Sequence, residues 1–215
     1  MPPCPAPDTC WLYLVRHGAT ENNRAKPPRL QGRRTDPGLS VEGLDQARQT
    51  GRFLAACRLD AVYSSPLLRA RQTAEAIAEP HGLSVQRVDE LIEVDVGQWE
   101  GRAWDEIERT DPQAYRAFMT DPAAHSYLGG ESIQSVRDRV VPAFQTLLAD
   151  NLGRLVAVAA HNVVNRAYLA DLMGISMSRY RTIPQDNCGV NLLRYRNGRV
   201  KLVAVNGVFH LNDAP

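Results

Sequence analysis

Arg16 and His17 stand together at the end of an apolar run, Trp11-Leu12-Tyr13-Leu14-Val15. An imidazole can act as a nucleophile or a base, and a neighbouring guanidinium can clamp an anion. Further along, Arg69 follows Ser64-Ser65-Pro66, and Glu93 precedes Gly97-Gln98-Trp99-Glu100-Gly101. His161 and Asn162 end a second apolar run, residues 154–160. Two Arg and two His exceed what one carboxylate needs, and they suit phosphate oxygens. Taken singly, each has an ordinary reading. A strand-end His packs or caps, an Arg on a first helical turn is solvated, Glu93 is a surface carboxylate, and Asn162 is an N-cap. Their joint appearance in this order favours one electrostatic site.

Such a site needs elements that bring distant residues to one edge. The first apolar run predicts a strand over about 10–16, and Val/Ala/Leu continuity predicts a buried strand over 154–160. Short strands are expected at 60–64 and 84–88, and a hairpin at 189–206 turning on Asn197-Gly198. Apolar residues at helical spacing predict helices from Ser40 to about 57, from Pro66 through Ile77, over 132–148 with a bend at Pro142, and over 163–173. Strand–helix alternation predicts an α/β fold: a three-layer α/β/α sandwich with a mostly parallel central sheet. Strand ends and helix N-termini then converge at one sheet edge, where helix N–H groups favour an anion.

Residues 18–39 read as a long polar loop that begins at the site, and such loops in compact domains are usually functional or disordered. Residues 90–130 mix Trp99, Trp104, Tyr115, Phe118 and Tyr127 with many charges. They read as short helices forming a small cap insertion, about 94–130, over the site; the alternative is a helical hairpin packed on the core. Most of these aromatics are expected to form the cap's own core and the rest to wall a pocket.

The length of 215 residues suits one domain, here 10–215, after a Pro-rich flexible tail over 1–9. A formal net charge of +1 and the lack of a basic stripe argue against nucleic acid and anionic membrane as partners. Cys4, Cys10, Cys57 and Cys188 form no Cys-x-x-Cys pair, so reduced thiols in a cytoplasmic protein are expected, with no metal site. No signal-peptide pattern opens the chain, and no apolar run is long enough to span a bilayer. The C-terminal hairpin offers an edge strand for a homodimer, and a monomer is equally compatible.

These motifs resemble the histidine phosphatase superfamily, also called phosphoglycerate mutase-like, over about residues 12–211. The opening motif Arg-His-Gly-x-Thr-x-x-Asn is met by Arg16, His17, Gly18, Thr20 and Asn23. The second is met by Ser65, Leu67, Arg69, Ala70, Gln72, Thr73 and Ala74. Glu93 ahead of Gly97–Gly101 meets the third, and His161 the last. The resemblance implies a metal-independent phosphomonoesterase for a small phosphorylated metabolite, with no cofactor. His17 is then the nucleophile that becomes a phosphohistidine. Arg16, Arg69 and a protonated His161 hold the phosphate, and Glu93 is the general acid and base. Burial and nearby cations pull the Glu93 pKa in opposite directions. Asn23, Gln31, Gly32 and Asn162 are expected at the substrate, and Thr20 and Ser65 as orienting groups. Arg33 and Arg34 either reach a second anion or face solvent. Many members carry Gly where this chain has Asn162. That departure, with Gln185-Asp186-Asn187-Cys188-Gly189, resembles a branch with phosphoserine and carboxyarabinitol-phosphate phosphatases. A cofactor-dependent phosphoglycerate mutase and a non-catalytic phospho-ligand module are the alternatives. Ala19-Thr20 and the modest length favour hydrolysis over the mutase.

Overall fold

The computed structural model describes residues 5–211. Its sheet has six strands in the order β3-β2-β4-β1-β5-β6. β1 (Thr9–Arg16), β2 (Ala61–Ser64), β3 (Val85–Arg87) and β4 (Leu155–Ala160) run parallel. β5 (Val190–Arg196) and β6 (Arg199–Gly207) add an antiparallel hairpin on the β1 side. All six β4 residues are buried, as a strand covered on both faces requires. The hairpin turns on Asn197 (φ 51°) and Gly198 (φ 71°), the left-handed pair that matches strand twist.

Helices cover both faces. α2 (Val41–Ala55) and α3 (Leu68–Ala78) pack on one, where Leu54, Ala74 and Ile77 meet Tyr13, Val15 and Val62. α6 (Ile133–Asp150) and α7 (Asn162–Met173) pack on the other, where Val136, Phe144 and Tyr168 meet Leu12, Leu14 and Val158. The three-layer expectation therefore holds. α2 starts where Ser40 accepts a hydrogen bond from the Gly43 N–H, the capping role read from the sequence. α6 continues through Pro142 as one helix.

Two expectations need correction. Residues 18–39 are not all loop: a short helix, α1 (Glu21–Arg24), forms there, closed by a capping box between Thr20 and Asn23. Four residues carry no periodicity, so only the cap betrays this helix. The expected flexible tail over 1–9 does not include its last two residues, because Thr9 belongs to β1 and Asp8 is ion-paired to Arg196 at 2.8 Å. Residues 1–4, with Cys4, and 212–215 lie outside the described residues. The 94–130 region holds short helices, α4 (Trp104–Thr110) and α5 (Pro112–Thr120), with tight turns. Trp99 packs edge-on against Phe118 and Tyr127, which are tilted against each other, and all three join the core that α6 also lines. Among the described residues no helix is long and apolar enough to cross a membrane.

Candidate active site

Parallel register brings the two histidines together. Arg16 pairs with Ala160, so His17 and His161 each lie one residue beyond adjacent strand ends. Their ring centroids are 5.3 Å apart. His17 Nδ1 is 2.7 Å from the Gly18 carbonyl oxygen. A carbonyl only accepts, so Nδ1 carries the proton and Nε2 keeps its lone pair. Burial, with Arg69 and Arg16 alongside, holds the His17 pKa well below the usual histidine range.

His161 N-caps α7 by position, and its Nε2 lies 2.7 Å from Ser65 Oγ. Its buried Nδ1 has no protein partner. Burial, Arg69 and His17 also hold this imidazole well below the usual range. The protonated His161 expected from the resemblance is therefore not its state beside the protein's own charges; only an added anion would raise it.

Arg16 Nη1 donates to the Gln185 carbonyl at 2.6 Å, and its buried Nε has no protein partner. Burial pulls this guanidinium down to about 10, still cationic at neutral pH. Arg69 is fully buried. Its Nη2 donates to Gly32 O at 2.9 Å, and the Gln31 amide oxygen accepts from its Nε and Nη1 at 3.2 and 3.1 Å. Glu93 is also buried, accepting from the N–H groups of Val94 (2.9 Å) and Val163 (3.3 Å). Burial raises its pKa, outweighing those hydrogen bonds and Arg69. The balance left open by the sequence thus falls on the side of a raised pKa.

Arg16, His17, Asn23, Gln31, Glu93 and Asn162 line one cleft of about 360 Å³. Arg69 and His161 are buried against them. Gly32 does not line the cleft: its N–H donates to Glu100 Oε1 at 2.8 Å and its carbonyl orients Arg69. A Cβ there would lie 2.5 Å from Val94 O, so only glycine lets the loop pass. Asn162 makes no cap, and its buried Oδ1 has no protein partner. Thr20 Oγ1 lies 2.6 Å from the Gln31 amide, and Ser65 Oγ 2.7 Å from His161 Nε2. Arg33 and Arg34 take the second of the two expected courses: both are exposed, and both bind Asp95, at 3.1 and 2.7 Å.

Sequence reasoning missed several supports. Asn187 Nδ2 donates to the His17 carbonyl at 2.9 Å, and the Cys188 N–H to Arg16 O at 3.0 Å. The 185–189 segment therefore clasps the end of β1. Arg139 donates to Glu90 O and Glu93 O, fixing the segment that carries Glu93. Trp104, Tyr127, Arg166 and Arg181 also line the cleft. Among the described residues, no group of three or more His, Cys, Asp or Glu is placed to hold a metal.

The kinship agrees with this geometry. The family profile "Histidine phosphatase superfamily (branch 1)" matches residues 12–207. Phosphoserine phosphatase 1 of Hydrogenobacter thermophilus is 33% identical over 202 residues, 94% of each chain. The 2-carboxy-D-arabinitol-1-phosphatase of Triticum aestivum is 30% identical over 207 residues, 95% of this chain but 41% of that protein. Among solved structures, Bacillus stearothermophilus YhfR superposes with a TM-score of 0.87 at 28% identity, covering 94% of this chain and 100% of its own. The chain belongs to the histidine phosphatase superfamily, branch 1, and is a phosphatase by that kinship.

Proposed function

We propose that the chain is a metal-independent phosphomonoesterase for small phosphorylated metabolites, working through a phosphohistidine on His17. The observation that carries this reading is the His17 ring: Nδ1 is tied to Gly18 O, and Nε2 is unprotonated in a cleft shared with Arg16 and Glu93. Nε2 attacks phosphorus and the P–O bond to the alcohol breaks. Glu93, whose pKa burial raises, acts as the acid and gives its proton to the departing alkoxide. Water then attacks the phosphohistidine while the Glu93 carboxylate takes its proton, which releases phosphate and restores both groups. Arg16, Arg69 and the orphaned Nδ1 of His161 bear on the equatorial oxygens, and the anion itself would draw a proton onto His161. Two guanidiniums and an imidazole supply the charge that a metal would otherwise bring. Asn23, Gln31 and Asn162 stand at the cleft wall to meet the substrate. Relatives named for phosphoserine and 2-carboxy-D-arabinitol 1-phosphate support a small metabolite as substrate.

The test is phosphate release from nitrophenyl phosphate, phosphoserine, 3-phosphoglycerate and sugar phosphates with chelator present. The protein should turn over at least one, and acid-labile phosphoprotein should be trapped in the wild type and absent from His17→Ala. No release, with phosphate exchange between 2- and 3-phosphoglycerate on adding bisphosphoglycerate, would make it a mutase instead.

A further inference from the structure

The cleft holds a second concentration of positive charge beyond the phosphate end. Arg166, on α7, and Arg181, on the 3₁₀ turn Met177–Thr182, both line it. Several other arginines are neutralised: Arg33 and Arg34 by Asp95, Arg102 by Glu106 and Asp111, Arg139 by Glu131. Among the described residues, neither Arg166 nor Arg181 is ion-paired to a carboxylate.

Both are nonetheless held in place. The Arg181 guanidinium carbon lies 5.1 Å from the Trp104 and Phe118 ring centroids, within cation–π range. Its Nε donates to Tyr180 Oη at 3.2 Å and its Nη1 to Met119 Sδ at 2.9 Å, while its buried Nη2 has no partner among the described residues. Arg166 Nε donates to Ile183 O at 2.8 Å. Burial and the charge of Arg181 both disfavour the Arg166 cation, so a shared anion would relieve the two together. Asn162 and Arg166 are four apart on α7 and so share a face. That puts Arg166 ~6 Å along the axis from the helix start, the reach of a short carbon chain. The unpartnered Oδ1 of Asn162 on this face accepts a hydrogen bond from a hydroxyl or ammonium.

We propose that Arg166 and Arg181 form a carboxylate subsite with Asn162 beside it, so that the preferred substrate is the phosphate ester of a small hydroxy or amino acid. With both Nε atoms and Arg181 Nη1 already engaged, the few donors left suit the two oxygens of a carboxylate better than the three of a second phosphate. The inference rests on the phosphatase reading for its phosphate end, and its test therefore reads binding rather than turnover.

Calorimetry on His17→Ala protein compares 3-phosphoglycerate with glycerol 3-phosphate, which replaces the carboxylate by a hydroxymethyl group. The acid should bind about tenfold tighter or more, as a charge-assisted contact implies. In His17→Ala/Arg181→Met protein, which keeps an apolar stem against Trp104, that ratio should fall to about twofold or less. Equal binding of the pair to His17→Ala protein, or an undiminished ratio after Arg181→Met, would overturn the subsite. Tighter binding of 2,3-bisphosphoglycerate than of 3-phosphoglycerate would overturn the carboxylate in favour of a second phosphate. Preferential acid binding by a protein whose wild type hydrolyses nothing would sink the phosphohistidine mechanism and leave the subsite standing.

Discussion

His17 and His161 face each other with ring centroids 5.3 Å apart and planes inclined by 59°, both buried and both beside Arg69. The register of β1 on β4 sets this distance, so it belongs to the fold and not to a mobile loop. Two imidazoles this close, with guanidiniums nearby, cannot both be charged without an anion between them. The site is thus poised for phosphate by electrostatic discomfort. Each imidazole stays neutral in the free protein, and a bound dianion changes the state of at least one.

Stability should carry this signature. Both folded-state pKa values lie below the ordinary 6.5, so the unfolded chain binds protons that the folded one refuses. Their contribution is present above 6.5 and is lost as pH falls from there, by about 1.4 kcal/mol per pH unit for each group. Glu93 acts oppositely above 4.5, where the unfolded chain has already released a proton that the folded one retains. A difference measurement isolates one histidine. Urea unfolding of wild type and His161→Gln at pH 7.5 and 5.5 should show the wild type losing more stability toward acid. A pH-independent difference between them would exclude a buried neutral His161.

Glu93→Gln separates leaving groups. A general acid matters most where the departing oxygen is a poor leaving group. Turnover of phosphoserine should drop by about 10²- to 10⁴-fold, and that of nitrophenyl phosphate much less, since nitrophenolate departs without a proton. Equal losses on both substrates would assign Glu93 to binding instead of proton transfer.

How much of this was legible in the sequence follows from the range of the interactions. β1 and β4 announce themselves through continuous apolar runs, and His17, Arg69, Glu93 and His161 through local motifs. Gln72 and Thr73 had a motif but no visible reason; the structure gives one, as Thr73 Oγ1 accepts from the Gly18 N–H and Gln72 from the Leu39 N–H. What stayed illegible is long-range. Asn187 reaches His17 across 170 residues, and Arg181 reaches the cleft only because the turn after α7 folds back over Trp104. Nothing local distinguishes Arg33 and Arg34, which bind Asp95, from Arg166 and Arg181, which have no such partner.

Asp95→Ala tests a positioning chain. The Asp95 carboxylate binds Arg33, Arg34 and the Gly97 N–H; these contacts lower its pKa against the opposing effect of burial. Through the two arginines it holds the loop whose Gly32 and Thr35 carbonyls accept from Arg69. Removing it should loosen Arg69 without touching the substrate directly. The Michaelis constant should rise several-fold while the leaving-group dependence stays that of the wild type. A changed leaving-group dependence would place Asp95 in the proton transfer itself.

Gly43→Ala sets helix propensity against a backbone contact. In an exposed helix interior the change would stabilise by about 1 kcal/mol. Here the added Cβ would lie 1.9 Å from Ala19 O and 2.7 Å from Ala19 N, backbone atoms that no rotamer change can move. α2 must back away, and the displaced 18–20 segment includes Gly18, whose carbonyl sets the His17 tautomer. Overpacking of this kind costs about 1–3 kcal/mol, so the clash outweighs the propensity and the protein should be destabilised and slowed. Gly207→Ala is the control, because its Cβ would meet Val190 O at an ordinary 3.5 Å. Thermal melts and nitrophenyl phosphate turnover of the two variants decide the matter. If Gly43→Ala matches Gly207→Ala in both, the close approach of α2 does not set the position of His17.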